Sequence, residues 1–303
     1  MAIKKKTRKQ HYLPCSYLQF FDISGIPSGR DSRVYCIDGK RCFKQKVEDI
    51  AFENFFYSSN DPDSAEAVFH TEEQNYQYLV KEIESNRSIE GLNHVLMLNN
   101  MFTLHLRTSA FDNHTGLEQI EAYNQLNKTF LVAHIVDTPE QAENAEAIKN
   151  ILLDNWRILP LFTKSPVFIT SDHPAILFGD NKVRIVFLPI KPFLAVVAFD
   201  LRKVKQNGKS IVSDDIRKMN AVTCNHYNRF IFANYDMGKN EIEWQRLVKI
   251  MKRERPPRYI NKDVSCIGMG ELSSNNLNQC GLSFLETNHE TKVSADQQPI
   301  VRK

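Results

Sequence analysis

The hydrophobic period of this 303-residue chain switches twice, and that switch limits the folds open to it. Up to about residue 57 the apolar runs are short and strand-like. From 63 to 158 they recur at helical spacing, and from 167 onward they are short again. Strands, then helices, then strands with short links specify an α+β fold rather than a parallel doubly wound sheet. The expected architecture is a central bundle of about four helices packed on a mostly antiparallel sheet formed by N-terminal and C-terminal strands.

In the first part, Val34 and Cys36 alternate with Tyr35 and Ile37, Asp38-Gly39 is a tight-turn pair, and residues 42–47 follow, so a β-hairpin is expected. The aromatic segment 51–57 is expected to pack on it. In the helical part, Ala65, Phe69, Tyr76, Leu79, Val80 and Ile83 mark one face of a helix over 63–84. Ser88 is expected to cap a second helix carrying Leu92, Val95, Leu96, Phe102 and Leu106. A third covers 117–134. A fourth starts at Thr138-Pro139-Glu140-Gln141, a capping box with Pro at the first helical position, and runs through Ala145, Ile148, Leu152 and Trp156 to just before Pro160.

Strands follow over 167–170, 175–178, 183–188 and 193–199, with a turn at 179–182, a helix capped by Ser213, a strand at 229–234 and a last helix over 241–252. Residues 194–199 are apolar without alternation, so both their faces should be buried. The chain thus divides into a basic arm (1–10), a single α+β domain (11–255: β-rich to 57, helical over 63–158, strands and two helices over 167–252) and a weakly ordered polar tail (256–303).

With 42% hydrophobic residues the chain can build a substantial core. Its 39 basic against 36 acidic residues leave +3, too little to steer it toward nucleic acid or membrane by overall field. No apolar run approaches the roughly 20 residues of a membrane span. The opening is basic without the apolar core of a signal peptide, so a soluble cytoplasmic protein is expected. The six cysteines form neither C-x-x-C nor a zinc-finger spacing, so no metal site or disulfide framework is expected. Dinucleotide-binding, P-loop, zincin, nucleophile-elbow and kinase signatures are absent. No cofactor is indicated.

Four features carry candidate chemistry. Gln10-His11-Tyr12-Leu13-Pro14 places a His beside Tyr ahead of a Pro-stiffened turn. His11 suits a general base positioned by Tyr12 or Gln10, or else a structural hydrogen bonder. Thr170-Ser171-Asp172-His173-Pro174 ends a buried strand with polar groups: Asp172 as proton acceptor or orienter and Ser171 as nucleophile, or both as turn chemistry. Arg107 closes an apolar helix and calls for a fork-shaped carboxylate or phosphate partner. Asn220 is a ligand amide or a buried structural one.

These residues resemble the bacterial family designated domain of unknown function 4238. That family opens on Gln-His-Tyr-Val-Pro, matched here by residues 10–14, with Tyr17, Leu18 and Phe21 following. It is similar also in Val34-Tyr35, Phe56-Tyr57, Arg107, the stretch 168–174, Leu188-Pro189, and Asn220 followed by Arg229. The likeness spans about residues 10–235. Position 173 is His where the family tends to have Asn, which counts against His173 as a catalyst. The family implies no reaction, cofactor or substrate.

Two functional expectations follow. The first is a hydrolase or transferase acting on a phosphate-containing or nucleic-acid substrate. Its catalytic residues would be His11, Tyr12, Ser171 and Asp172, with Gln10, Arg107 and Asn220 binding substrate. The second is a non-catalytic binding or regulatory module in which the same residues form a structural hydrogen-bond network. Small-molecule or nucleic-acid partners are expected, and no membrane. Both readings need the opening aromatic stretch to fold back beside the loop after the first post-helical strand.

Overall fold

The computed structural model describes residues 9–54, 56, 62–107, 111–112, 119–178, 185–239, 245, 259–260 and 282–287. The first eight residues, the 179–182 turn and the expected 241–252 helix apart from Gln245 lie outside them. In chain order the elements begin with β1 (Lys9–His11), α1 (Cys15–Leu18), β2 (Arg33–Ile37), β3 (Cys42–Lys46) and β4 (Phe52–Asn54). The helical part holds α2 (Pro62–Asn86), α3 (Gly91–Leu106), β5 (Phe111–Asp112), α4 (Gln119–His134), α5 (Pro139–Ala142) and α6 (Ala145–Asn155). Then come β6 (Trp156–Phe162), β7 (Thr170–Ser171), β8 (Ile176–Phe178), β9 (Ile185–Lys191), β10 (Leu194–Asp200) and β11 (Val204–Gln206). The last are α7 (Ser213–His226), β12 (Ile231–Ala233), β13 (Tyr259–Ile260) and β14 (Leu285–Thr287).

This is a mixed α+β protein with several small antiparallel sheets. One four-stranded sheet, in the order β3-β2-β12-β7, joins the N-terminal hairpin to strands from beyond the helices, as expected. A second, β6-β10-β9-β8, is built entirely from chain after α6. Among the described residues the single sheet expected from the sequence is therefore two, supplemented by two-stranded pairings: β1-β4 and β11-β14, both antiparallel, and the parallel β5-β13.

The central strands behave as their uninterrupted apolar character requires. Val186, Leu188, Ile190, Val196 and Ala198 face the core shared with α2 and α3. Ile185, Phe187, Ala195, Val197 and Phe199 face a second cluster containing Met219 of α7 and Leu282, Phe284 and Leu285. Both faces of β9 and β10 are thus buried. α2 keeps its expected stripe, with Phe69, Tyr76, Leu79, Val80 and Ile83 all buried.

Local signals failed at several boundaries for identifiable reasons. The Thr138 capping box forms, the Thr138 hydroxyl accepting from Gln141 N and the Gln141 side chain accepting from Thr138 N. It starts only the single turn of α5, however. Asn144 then caps α6 by accepting from the backbone N–H groups of Glu146 and Ala147. Trp156, expected as the end of that helix, instead opens β6, which pairs along β10 from Trp156↔Asp200 to Phe162↔Leu194. Pro160 stops a helix and is equally at home in an edge strand, so the local pattern could not separate the two. Likewise α3 has Glu90 at its N-cap position, without a side-chain cap, rather than Ser88, and Leu92 lies exposed at its start. Of residues 167–170 only Thr170 is strand. Residues 52–54 pair with β1, while Ala51 and Phe56 share a core cluster with Val34, Cys36 and Phe43 of the hairpin.

The helix expected to be capped by Ser213 has Val212 at its N-cap position, and the capping carboxylate comes from Asp215. It accepts from Val212 N at 2.8 Å and also from Ser283 N and Ser283 Oγ at 2.7 and 2.8 Å. One buried side chain therefore caps α7 and ties down 282–287, a segment inside the stretch read as polar tail. Replacing Asp215 by Ala is expected to raise hydrogen exchange at residues 282–287 before global unfolding, measured by mass spectrometry of the intact chain.

Candidate functional site

The opening segment is anchored at both ends by polar contacts. Gln10 is fully buried in β1. Tyr12 and Leu13 donate their backbone N–H to Ala51 O, at 3.1 and 3.4 Å. Ala51 adopts φ +56°, a left-handed conformation that costs an L-residue about 1 kcal/mol and is held here by those two bonds. The Tyr12 ring packs on Phe56 at 5.4 Å.

At the other end Tyr17, fully inside the core, donates its hydroxyl proton to Pro189 O and accepts from the Thr170 hydroxyl, each at 2.6 Å. Pro189 O can only accept, which fixes this direction of donation. The contact brings the opening stretch beside Thr170, the residue before Ser171, as both functional readings required.

Around this segment the expected site residues divide into two groups. Arg107 joins the first. At the C-cap of α3 its guanidinium donates to Glu73 Oε1 of α2 and to the His11 backbone carbonyl, both at 2.8 Å, and lies 4.2 Å over the Phe69 ring. The fork-shaped partner required by an apolar helix is thus supplied from within the chain. His11 lies partly buried against Phe52, and its Nε2–H donates to Glu48 O at 3.2 Å. Burial, aided by the charge of Lys9, holds its pKa down at about 4, so the ring is neutral at pH 7.

The second group surrounds Asp172. Its carboxylate accepts three backbone N–H groups, from Asn228, Arg229 and Phe230, at 2.7–3.1 Å. Its own N–H donates to Phe230 O. Ser171 Oγ closes a local turn, donating to His173 O at 2.8 Å and accepting from His173 N at 3.2 Å. Asn220 bridges α7 to the preceding segment, its amide donating to Val167 O at 2.7 Å and accepting from Ile169 N at 3.4 Å. His11 thus touches Glu48, Phe52 and Arg107, and Asp172 touches residues 228–230.

Sequence reasoning passed over His105. It lies on the buried stripe of α3, where a His reads as one more helix position. Its Nδ1–H donates to Ala175 O at 2.9 Å, and the same atom is 3.1 Å from His173 Nε2, which must then be the acceptor. His173 is therefore neutral at Nε2. Burial and the proximity of His105 and His226 hold His173 well below its ordinary pKa.

A cleft also escaped the sequence. It is a narrow crevice between α1, α2 and α3 with room for about one water molecule. Its walls include Pro14, Leu104 and the rings of Tyr17 and Tyr76, with Glu73, Asn100 and Arg107 among its polar residues. Two further polar atoms at this cleft, Ser16 Oγ and Tyr76 Oη, are buried without a hydrogen-bond partner among the described residues.

The family model described as Protein of unknown function (DUF4238) matches residues 9–236, about three-quarters of the chain. The chain belongs to the DUF4238 family. No curated protein and no solved structure matches it. The DUF4238 match runs from β1 through β12, so it includes the opening segment, the Asp172 turn and the cleft. Among the described residues no helix is long and apolar enough to cross a membrane, and no group of three His, Cys, Asp or Glu could hold a metal ion.

Three histidines, His11, His94 and His173, have native pKa values below that of the unfolded chain, each chiefly through burial. Below about pH 6.5 the unfolded state therefore binds more protons than the native one, and stability falls as pH drops. For His11 the loss accumulates until its native pKa of about 4 is reached. Thermal melts should show a lower Tm at pH 5 than at pH 7, and His173→Asn should make that pH slope shallower.

Proposed function

We propose that this DUF4238 protein is a non-catalytic binding or regulatory module in which the expected site residues form a structural hydrogen-bond network. The helices α2, α3, α4 and α6 act in this reading as a bundle backing the sheets. The observation that carries it is the Asp172 carboxylate, which accepts three backbone N–H groups and so serves as the anchor of the 228–230 segment.

The other expected site residues support it in the same way. A Ser nucleophile needs a base at its hydroxyl, and Ser171 Oγ instead donates to His173 O within its own turn. An anion clamp needs guanidinium N–H groups facing the substrate, and Arg107 directs its terminal nitrogens to Glu73 and the His11 carbonyl. Asn220 joins two stretches of backbone. Hydrogen bonds of this kind make a rigid scaffold that ties the opening segment, α2, α3 and α7 to the strands.

Asp172→Ala separates this reading from an enzyme acting on phosphate-containing substrates. Leaving three N–H groups, that of Phe230 buried and the other two part-buried, without an acceptor should cost about 3 kcal/mol. In a chain of this size that lowers Tm by about 6 °C or more. The reading fails if the variant melts like the parent while a phosphoesterase activity of the parent, assayed on p-nitrophenyl phosphate, disappears.

A further inference from the structure

Residues 282–287 sit on the molecule as a bound peptide would. They lie beyond the DUF4238 match, which ends at residue 236, yet β11, α7 and the apolar cluster they pack on lie within it. Leu282, Phe284 and Leu285 are buried, Phe284 to 1% exposure, in the cluster that includes Ile185, Phe187, Val204 and Met219. One face of the family domain is therefore completed by a segment from outside it.

The backbone of this segment is held as closely as its side chains. Ser283 N donates to Asp215 Oδ1 at 2.7 Å, and Ser283 Oγ donates to Oδ2 at 2.8 Å. Asn207 donates its side-chain amide to Ser283 O at 2.8 Å and its backbone N–H to Phe284 O at 3.1 Å. Leu285 N returns to Leu282 O at 3.2 Å and closes a turn. Residues 285–287 then pair antiparallel along β11, from Gln206↔Leu285 to Val204↔Thr287. Strand addition of this kind draws affinity from main-chain bonds and selectivity from side-chain pockets.

We propose that the groove between β11 and the first turn of α7 is a docking site for peptides of the pattern apolar-Ser-Phe-apolar, and that residues 282–287 are its tethered occupant, controlling access to it. The partner is a protein segment that forms a turn and runs on as a strand. Asp215 sets the second position of the pattern. Its carboxylate takes two donors there and would repel an acidic or phosphorylated side chain. The buried Phe284 ring sets the third. A tethered segment and a free one compete for the same groove, so release of the tether is the point of control. The groove shares no residue with the Asp172 and Arg107 networks, so its role stands independently of the scaffold reading.

The test is fluorescence anisotropy of a labelled peptide of residues 281–289 against the full chain carrying Phe284→Asp, which removes the anchor of the tethered segment. This chain is expected to bind the peptide, and the parent to bind it at least about tenfold more weakly, because its own segment competes. Ser283→Asp in the peptide should abolish binding. Ser283→Ala in the peptide should weaken it about tenfold, through loss of one hydrogen bond to a carboxylate. Should the Phe284→Asp chain fail to fold, the parent itself serves. An excess of isotope-labelled peptide should raise hydrogen exchange at the chain's own residues 282–287 while β11 stays protected.

Docking in trans is overturned if the folded Phe284→Asp chain leaves the peptide unbound, or if the parent binds it as tightly as that chain does. It is overturned equally if the Ser283→Asp peptide binds like the unmodified one, or if excess peptide leaves exchange at 282–287 unchanged. A parent that sediments as a dimer and turns monomeric with peptide would give the groove to the segment of a second copy and overturn the tether.

Discussion

The hydroxyl of Tyr17 is the joint of this molecule. It bonds Thr170 in one four-stranded sheet and Pro189 in the other, from a side chain on the opening segment. Two strands more than 150 residues further along the chain meet the opening segment at one buried oxygen. Burial raises the Tyr17 pKa, so the proton that makes the bond to Pro189 is retained. A phenol suits this place better than an ionisable group would, because its aromatic body joins the core while its tip satisfies a carbonyl and a hydroxyl without bringing in charge.

Around that joint the polar residues mostly secure backbone. Asp172 holds the entry to β12, Asp215 caps α7 and ties in residues 282–287, Asn220 bridges α7 to 167–169, and Arg107 clasps β1 to α2. Asp172, Asp215 and Arg107 lie at the ends of regular elements, and Asn220 reaches from mid-helix to the irregular 167–169 segment; at such points backbone groups lose their ladder or helix partners and need a side chain in compensation. This explains why polar residues stand out between apolar runs in the sequence and resemble a dispersed catalytic set. The same residue types serve both purposes, and only the identity of their neighbours separates them.

The legibility of the site follows that logic. Arg107 was readable as needing a bidentate partner, because a guanidinium on an apolar helix cannot stay unpaired; that the partners would be Glu73 and a main-chain carbonyl was not. The Ser171-Asp172 turn was readable as either site or turn, and the three N–H groups on Asp172 lie more than 50 residues further along the chain. His105 was invisible because helical spacing alone explains it. The cleft left no trace because its walls come from α1, α2 and α3, and Ser16 and Tyr76 carry no motif.

By itself the sequence determined the order of strand-like and helical stretches, the stripe of α2, the hairpin at Asp38-Gly39 and the two-sided burial of β10, since periodicity and turn chemistry are local properties. Tertiary structure alone decided that the strands form two main sheets, that Trp156 begins a strand rather than ending a helix, and which polar groups meet. Those outcomes depend on which distant segment supplies the partner for each backbone and side-chain hydrogen bond. Local propensity contains no information about a partner 40 residues away.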